Sequence, residues 1–187
     1  GPARGRPLGA TSGKPAEMAY RFDRITLLVV EDNPNMRRLV GAVLAAIGIV
    51  NVHWATNVPD ALKLLQEVPV DIVLTDYNMQ PVDGLTFTRM LRDSERNDAP
   101  FVPIIMMTGH ATKKIVAAAR NAGVTEFLAK PVSVASMYDR LVEVIENPRP
   151  FVKTGSFFGP DRRRQVKSFE VERRGTGAAE DAGEVEL

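Results

Sequence analysis

Four short apolar runs in this chain each end on a polar or charged residue, with helix-like stretches between them. Thr26-Leu27-Leu28-Val29-Val30 runs into Glu31-Asp32, and Asp71-Ile72-Val73-Leu74-Thr75 into Asp76. Val102 to Met107 ends in Thr108, and Phe127-Leu128-Ala129 ends in Lys130-Pro131. Unbroken Ile-Val-Leu runs suit strands covered on both faces, as in a parallel sheet between helix layers. In an open α/β sheet the C-terminal ends of such strands line one crevice, where ligands bind. Three carboxylates, a hydroxyl and an ammonium delivered there describe a site for a divalent cation and a phosphoryl group.

The spacing predicts strands over 26–30, 52–55, 72–75, 103–107 and 126–129. Helices are expected over about 34–47, 59–67, 85–92, 113–122 and 134–145. Asn33 and Ser133 stand where caps are needed, Pro34 suits a first turn, and Gly48 and Gly123 suit helix ends. Five strands alternating with five helices predict a doubly wound α/β fold with a five-stranded parallel sheet. Right-handed crossovers leave few topologies, and the order 2-1-3-4-5 is expected. It sets Glu31, Asp32 and Asp76 beside the point where the strand order reverses.

The chain has 187 residues, enough for one core and not comfortably for two. Residues 1–22, with Gly and Pro throughout and Gly1-Pro2 resembling the scar of a cleaved tag, are expected to be a disordered N-terminal segment. Residues 23–147 form the expected domain, and 148–187 an extension that is expected to be largely flexible. The extension changes sign along its length. Residues 149–167 carry a net charge of +5 and residues 168–187 one of −4. It reads three ways: a docking segment anchored by Phe151, Phe157 and Phe158 with Arg162-Arg163-Arg164 as a clamp, a nucleic-acid contact, or a solvated tail whose charges offset one another. It is too short for a standard DNA-binding domain.

Cysteine is absent, which excludes disulfides, thiolate metal sites and a Cys nucleophile and suits a reducing cytoplasm. No apolar stretch reaches the roughly 18 residues that span a bilayer, and no signal peptide opens the chain. A net charge of +1 gives the whole molecule no pull toward nucleic acid or membrane. A cytoplasmic location with no membrane contact is the expectation.

Clustered carboxylates repel one another, and a divalent cation removes that cost; oxygen ligands with retained waters suit Mg²⁺. Asp76 is the candidate nucleophile, since a carboxylate can attack phosphorus to give an aspartyl phosphate. Such a transfer needs charge neutralisation more than covalent help, which Mg²⁺ and Lys130 would supply, with the Thr108 hydroxyl donating to a phosphoryl oxygen. Each residue also has an ordinary reading. The acids can be turn residues or caps, Lys130 a solvated lysine, Thr108 a strand-end β-former.

Residues 25–147 resemble the receiver domain of a bacterial two-component response regulator, whose fold is flavodoxin-like. Glu31-Asp32 resembles the family's acidic pair after strand one, and Asp76 its phospho-acceptor after strand three. The segment Tyr77-Asn78-Met79-Gln80-Pro81-Val82-Asp83-Gly84 resembles its turn into helix three, although the proline comes one place later than usual. Thr108-Gly109 and Lys130-Pro131 resemble its landmarks after strands four and five. The resemblance implies that Asp32 and Asp76 bind Mg²⁺ through side chains, Asn78 through its carbonyl and Glu31 through water, and that the Lys130–Pro131 peptide is cis. It implies a switch formed by Thr108 and Phe127, the latter lacking a tyrosine's hydroxyl, and it sets Asn78 and His110 where the family tunes phosphoryl lifetime. Phe127 also reads as plain core, and His110 as a solvated loop histidine.

The resemblance further implies phosphorylation by a histidine kinase or phosphotransfer protein. The output is a protein partner met by the face of helix four, strand five and helix five. The alternatives are a phosphate sink within a relay and a regulator whose basic tail contacts nucleic acid. The chain is expected to catalyse only its own phosphorylation and dephosphorylation. A metal-dependent phosphohydrolase is a rival reading, but the Asp-x-Asp signature fails because residue 78 is Asn. No glycine-rich phosphate loop follows strand one, which disfavours a nucleotide-binding enzyme.

Overall fold

The structure is a computed structural model that describes residues 21–163, apart from 94 and 96–98. The expectations for residues 1–20 and 164–187 lie outside the described residues. Strands β1 (Thr26–Val30), β2 (Asn51–Ala55), β3 (Ile72–Asp76), β4 (Ile104–Thr108) and β5 (Glu126–Ala129) form one parallel sheet in the order β2-β1-β3-β4-β5. Between and after them run α1 (Pro34–Ile47), α2 (Val58–Glu67), α3 (Gly84–Arg92), α4 (Lys113–Ala122) and α5 (Val134–Glu146). The register sets Val30 beside Thr75, Asp76 beside Met107 and Thr108 beside Ala129, so the strands finish level along one edge.

Local chemistry explains the helix boundaries. The Asn33 side chain accepts from the backbone N–H groups of Asn35 and Met36, and Pro34 occupies the first turn. Gly48 and Gly123 end α1 and α4 in the left-handed region, at φ 92° and 101°, where a side chain would be strained. Ser133 and Ser136 cap α5 reciprocally, side chain to backbone in both directions.

Strand alternation divides the core into two layers. Leu27, Val29, Ile72, Leu74, Ile105, Met107 and Leu128 face α1 and α5, where Val40, Leu44, Met137 and Leu141 are buried. Leu28, Val30, Val73 and Ile104 face Ala61 and Leu65 of α2 and Phe87 and Leu91 of α3. Met106 meets Ala119 and Ala122 of α4. Each such side chain contributes roughly 1.5–3 kcal/mol through removal from water.

Two expected boundaries are corrected. Phe22, assigned to a disordered lead-in, is 2% exposed and packs edge-on against Tyr138 of α5, with 5.6 Å between ring centroids. Burying a whole phenyl ring outweighs the entropy of ordering the few residues before β1. The extension expected to be largely flexible instead begins with an antiparallel hairpin, β6 (Phe151–Thr154) and β7 (Phe157–Pro160), turning at Gly155-Ser156.

A two-stranded hairpin is marginal alone and needs a surface to pack on. Here Phe101, Phe151 and Phe158 meet at centroid distances of 5.2–5.6 Å. The buried Arg92 guanidinium lies 5.0 Å from the centre of the Phe151 ring, and Arg149 pairs with Glu126 at 2.5 Å. Aromatic pairs of this kind add roughly 0.5–1.5 kcal/mol each beyond area burial.

Candidate functional site

The level strand ends bring the acids and the lysine together. Oxygens of Glu31, Asp32 and Asp76 lie within 4.8 Å of one another, and the Lys130 Nζ sits 2.7 Å from Asp76 Oδ1 and 3.5 Å from Glu31 Oε2. Glu31 is fully buried and Asp76 is 4% exposed, while Asp32 lies nearer the surface.

Each carboxylate is held by backbone geometry. Asn33 N–H donates to Glu31 Oε1 at 3.0 Å, and Gln80 N–H, from the loop after β3, donates to Asp32 Oδ2 at 3.2 Å. Arg37, one turn into α1, donates to the carbonyls of both Glu31 and Asp32 at 2.9 Å and so pins the backbone of the acidic pair. Asp76 is fixed from below by a close turn. Gly84 N–H donates to the Tyr77 carbonyl, and the first turn of α3 lies so near β3 that a Cβ on Gly84 would sit 2.2 Å from the Asp76 carbonyl oxygen.

Glu31 Oε2 is buried and accepts no hydrogen bond; the Lys130 contact is an ion pair only. Burial pushes the Glu31 carboxyl above its ordinary value. The Asn33 N–H opposes that rise, and the charge of Asp76 adds to it. An orphaned carboxylate oxygen beside two more acids is the donor set that a hard divalent cation satisfies.

Thr108 ends β4, nearly buried, and its Oγ1 accepts from His110 N–H at 3.2 Å. Lys130 N–H donates to the Thr108 carbonyl at 2.9 Å, and the Lys130–Pro131 peptide is cis. A second cis peptide, Gln80–Pro81, falls in the loop that carries the shifted proline. Asn78 and His110 are exposed on the loops flanking the crevice. Phe127 does not enter it. Half-buried, it packs on the opposite side of β5 against the cluster of Leu85, Met106, Ala119, Ala122 and Val124.

Sequence reasoning missed Arg37 and the Gln80 amide, because neither residue type signals what its backbone neighbours need. It also missed Arg92 and Glu126. Arg92, 5% exposed, donates to the carbonyls of Pro100, Val102 and Gly123. Burial lowers its pKa to about 9, which still leaves it charged at neutral pH. Glu126 accepts a hydrogen bond from Arg149 and forms a looser ion pair with Arg140 at 3.8 Å. A mixed-charge cleft lined by Glu126, Arg140, Glu143 and Arg149 lies at the opposite end of the sheet from the acids.

Residues 27–142 match the family described as the response regulator receiver domain, and the chain belongs to that family. It is 30% identical over 120 residues to the chemotaxis protein CheY-3 of Vibrio cholerae, covering 64% of this chain and 91% of that one. It is also 30% identical over 124 residues to the transcriptional regulatory protein GlrR of Escherichia coli K12, of which the match covers 27%. The receiver domain of the sensor histidine kinase PA1611 from Pseudomonas aeruginosa, crystallised with magnesium in its active-site cleft, superposes with a TM-score of 0.59. It is 27% identical and covers 66% of this chain and 98% of that one. The chain is thus a receiver of phosphorelay signal transduction. Among the described residues no helix is long and apolar enough to cross a membrane.

Proposed function

We propose that Asp76 accepts a phosphoryl group from the phosphohistidine of a histidine kinase or phosphotransfer protein, and that the face of α4, β5 and α5 passes the change to a protein partner. The observation that carries this reading is the 2.7 Å pair between Lys130 and a nearly buried Asp76, next to two further carboxylates. A carboxylate oxygen of Asp76 attacks phosphorus, the P–O bond forms, the P–N bond to the donor imidazole breaks, and that nitrogen takes up a proton. Lys130 stabilises the charge gathering on the phosphoryl oxygens, and the Thr108 hydroxyl turns from its His110 contact to donate to one of them.

Asp32 and Asp76 would hold Mg²⁺ through side chains, with Asn78 contributing its carbonyl and Glu31 acting through water. When bound, the ion neutralises the acids and the incoming phosphoryl group. Thr108 and Phe127 form the switch, and Asn78 and His110 flank the path of an attacking water. The chain catalyses only its own phosphorylation and dephosphorylation. Nucleic-acid binding by the tail is disfavoured, because Arg149 is committed to Glu126 and Arg162 to Asn121 and the Phe157 ring.

Incubation with acetyl phosphate and Mg²⁺, followed by intact-mass analysis, tests the reading. One added phosphoryl unit is expected on the wild type and none on Asp76→Asn. An adduct on the variant, or turnover of added phosphoesters without an adduct, would sink it.

A further inference from the structure

We infer that the β6–β7 hairpin is an intrachain output element: a clasp docked on the α4–β5 junction that loosens when Asp76 is phosphorylated. The inference rests on the phospho-acceptor reading above and goes beyond it to what the switch moves.

The junction is touched from two sides. From within the sheet layers, Phe127 packs on the cluster that contains Ala119, Ala122 and Val124. From outside, β7 lies on the same turn. A Cβ on Gly159 would sit 2.9 Å from the Phe157 ring and 3.0 Å from the Gly123 Cα, so only a glycine lets the strand lie this close to the turn. Arg162 Nη1 donates to Asn121 Oδ1 at 2.6 Å, and its guanidinium covers the Phe157 ring at 3.9 Å. Arg92 joins the two contacts. It donates to the Gly123 carbonyl and lies beneath the Phe151 ring.

The crevice connects to this junction through β5, which spans only four residues. Lys130 follows its end and Phe127 is its second residue. The hairpin fits the junction in the arrangement where Lys130 holds the bare Asp76 carboxylate at 2.7 Å. A phosphoryl group on Asp76 must break that direct pair and draw the Thr108 hydroxyl toward itself, so β4 and β5 are reset together at their C-terminal ends. Phe127 moves with β5, and the turn that carries Gly123 loses its fit to Gly159. A tightly packed contact of this kind has two discrete arrangements rather than a continuous give. Coupling is reciprocal: if phosphorylation weakens hairpin docking by some factor, loosening the hairpin strengthens phosphoryl-analogue binding by the same factor.

The test is hydrogen exchange on the full chain with and without beryllofluoride and Mg²⁺. Exchange within 151–160 is expected to rise at least ~5-fold, the low end of ordinary coupling. Arg162→Ala, which removes two surface contacts and no core atom, should tighten beryllofluoride binding by up to that factor. Unchanged exchange in the hairpin while segments around Asp76 and Thr108 respond would overturn the coupling and leave the phospho-acceptor reading standing. Equal beryllofluoride affinity of Arg162→Ala and wild type would overturn it too. No response around Asp76 would instead bring down the phospho-acceptor reading, and this inference with it.

Discussion

Replacing Gly84 by Ala tests how the fold aims Asp76. The new Cβ would lie 2.2 Å from the Asp76 carbonyl oxygen, 3.1 Å from its carbon and 3.2 Å from the Tyr77 Cα, all backbone atoms, whereas real Cβ contacts essentially never fall below 3.0 Å. The first turn of α3 and the end of β3 must therefore separate by about 0.8 Å, taking 2.2 Å from 3.0 Å. Overpacking of this kind costs about 1–3 kcal/mol. Alanine's helix preference over glycine offsets up to ~1 kcal/mol. A net loss of about 1–2 kcal/mol lowers the melting temperature by roughly 3–10 °C for a domain of this size.

The functional cost is larger, because a displacement near 1 Å in a reacting group can cost ~100-fold in rate. Phosphorylation by acetyl phosphate, followed by intact mass, is expected to slow at least ~10-fold. Gly109→Ala serves as the control. It stands in the same crevice, yet a Cβ there meets nothing within 4 Å, so stability and rate should hold. If Gly84→Ala and Gly109→Ala behave alike in urea unfolding and in phosphorylation rate, the close turn does not position Asp76.

Two further outcomes are expected. Burial raises the Glu31 carboxyl above 4.5, so the folded state holds that proton more tightly than the unfolded chain; the stability this contributes is present at low pH and is lost as pH rises through the folded value. Mg²⁺ is expected to bind the ionised acids, so it should raise the melting temperature more at pH values above the folded Glu31 value than below it, on the order of 2.7 kcal/mol at ~100 times its Kd; a shift that does not grow as pH rises would contradict this. Arg92→Met leaves the carbonyls of Pro100, Val102 and Gly123 without their donor. At about 1–3 kcal/mol per orphaned acceptor, urea unfolding should show a loss of at least ~3 kcal/mol, and a loss under ~1 kcal/mol would show that these bonds are replaced by water.

The sheet was legible because its signal is redundant. Every strand except β2 carries several apolar residues in a row, and Asn33, Gly48, Gly123 and Ser133 mark the helix ends by chemistry that acts over one turn. The acids and Lys130 were legible for the same reason, since each directly follows such a run. Phe22 and Arg92 were not, because their burial depends on partners such as Tyr138 and Phe151 that lie far away in the chain. The hairpin did leave a local trace. Phe151 to Thr154 and Phe157 to Pro160 flank the two-residue loop Gly155-Ser156, a pairing that favours tight reversal. The basic charge around it drew attention to outside partners instead, although Arg149 pairs with Glu126 and Arg162 covers the Phe157 ring within the chain.

All five parallel strands point the same way, so the molecule has two poles. Asp76, Thr108 and Lys130 stand at one; the hairpin grips the other, where α3 and α4 finish and β5 starts. Arg163, the last described residue, therefore lies at the rear, in the cleft with Glu126, Glu143 and Asn147. The hairpin leaves the front to an incoming phosphodonor, and any signal between the two poles has to cross the body of the sheet.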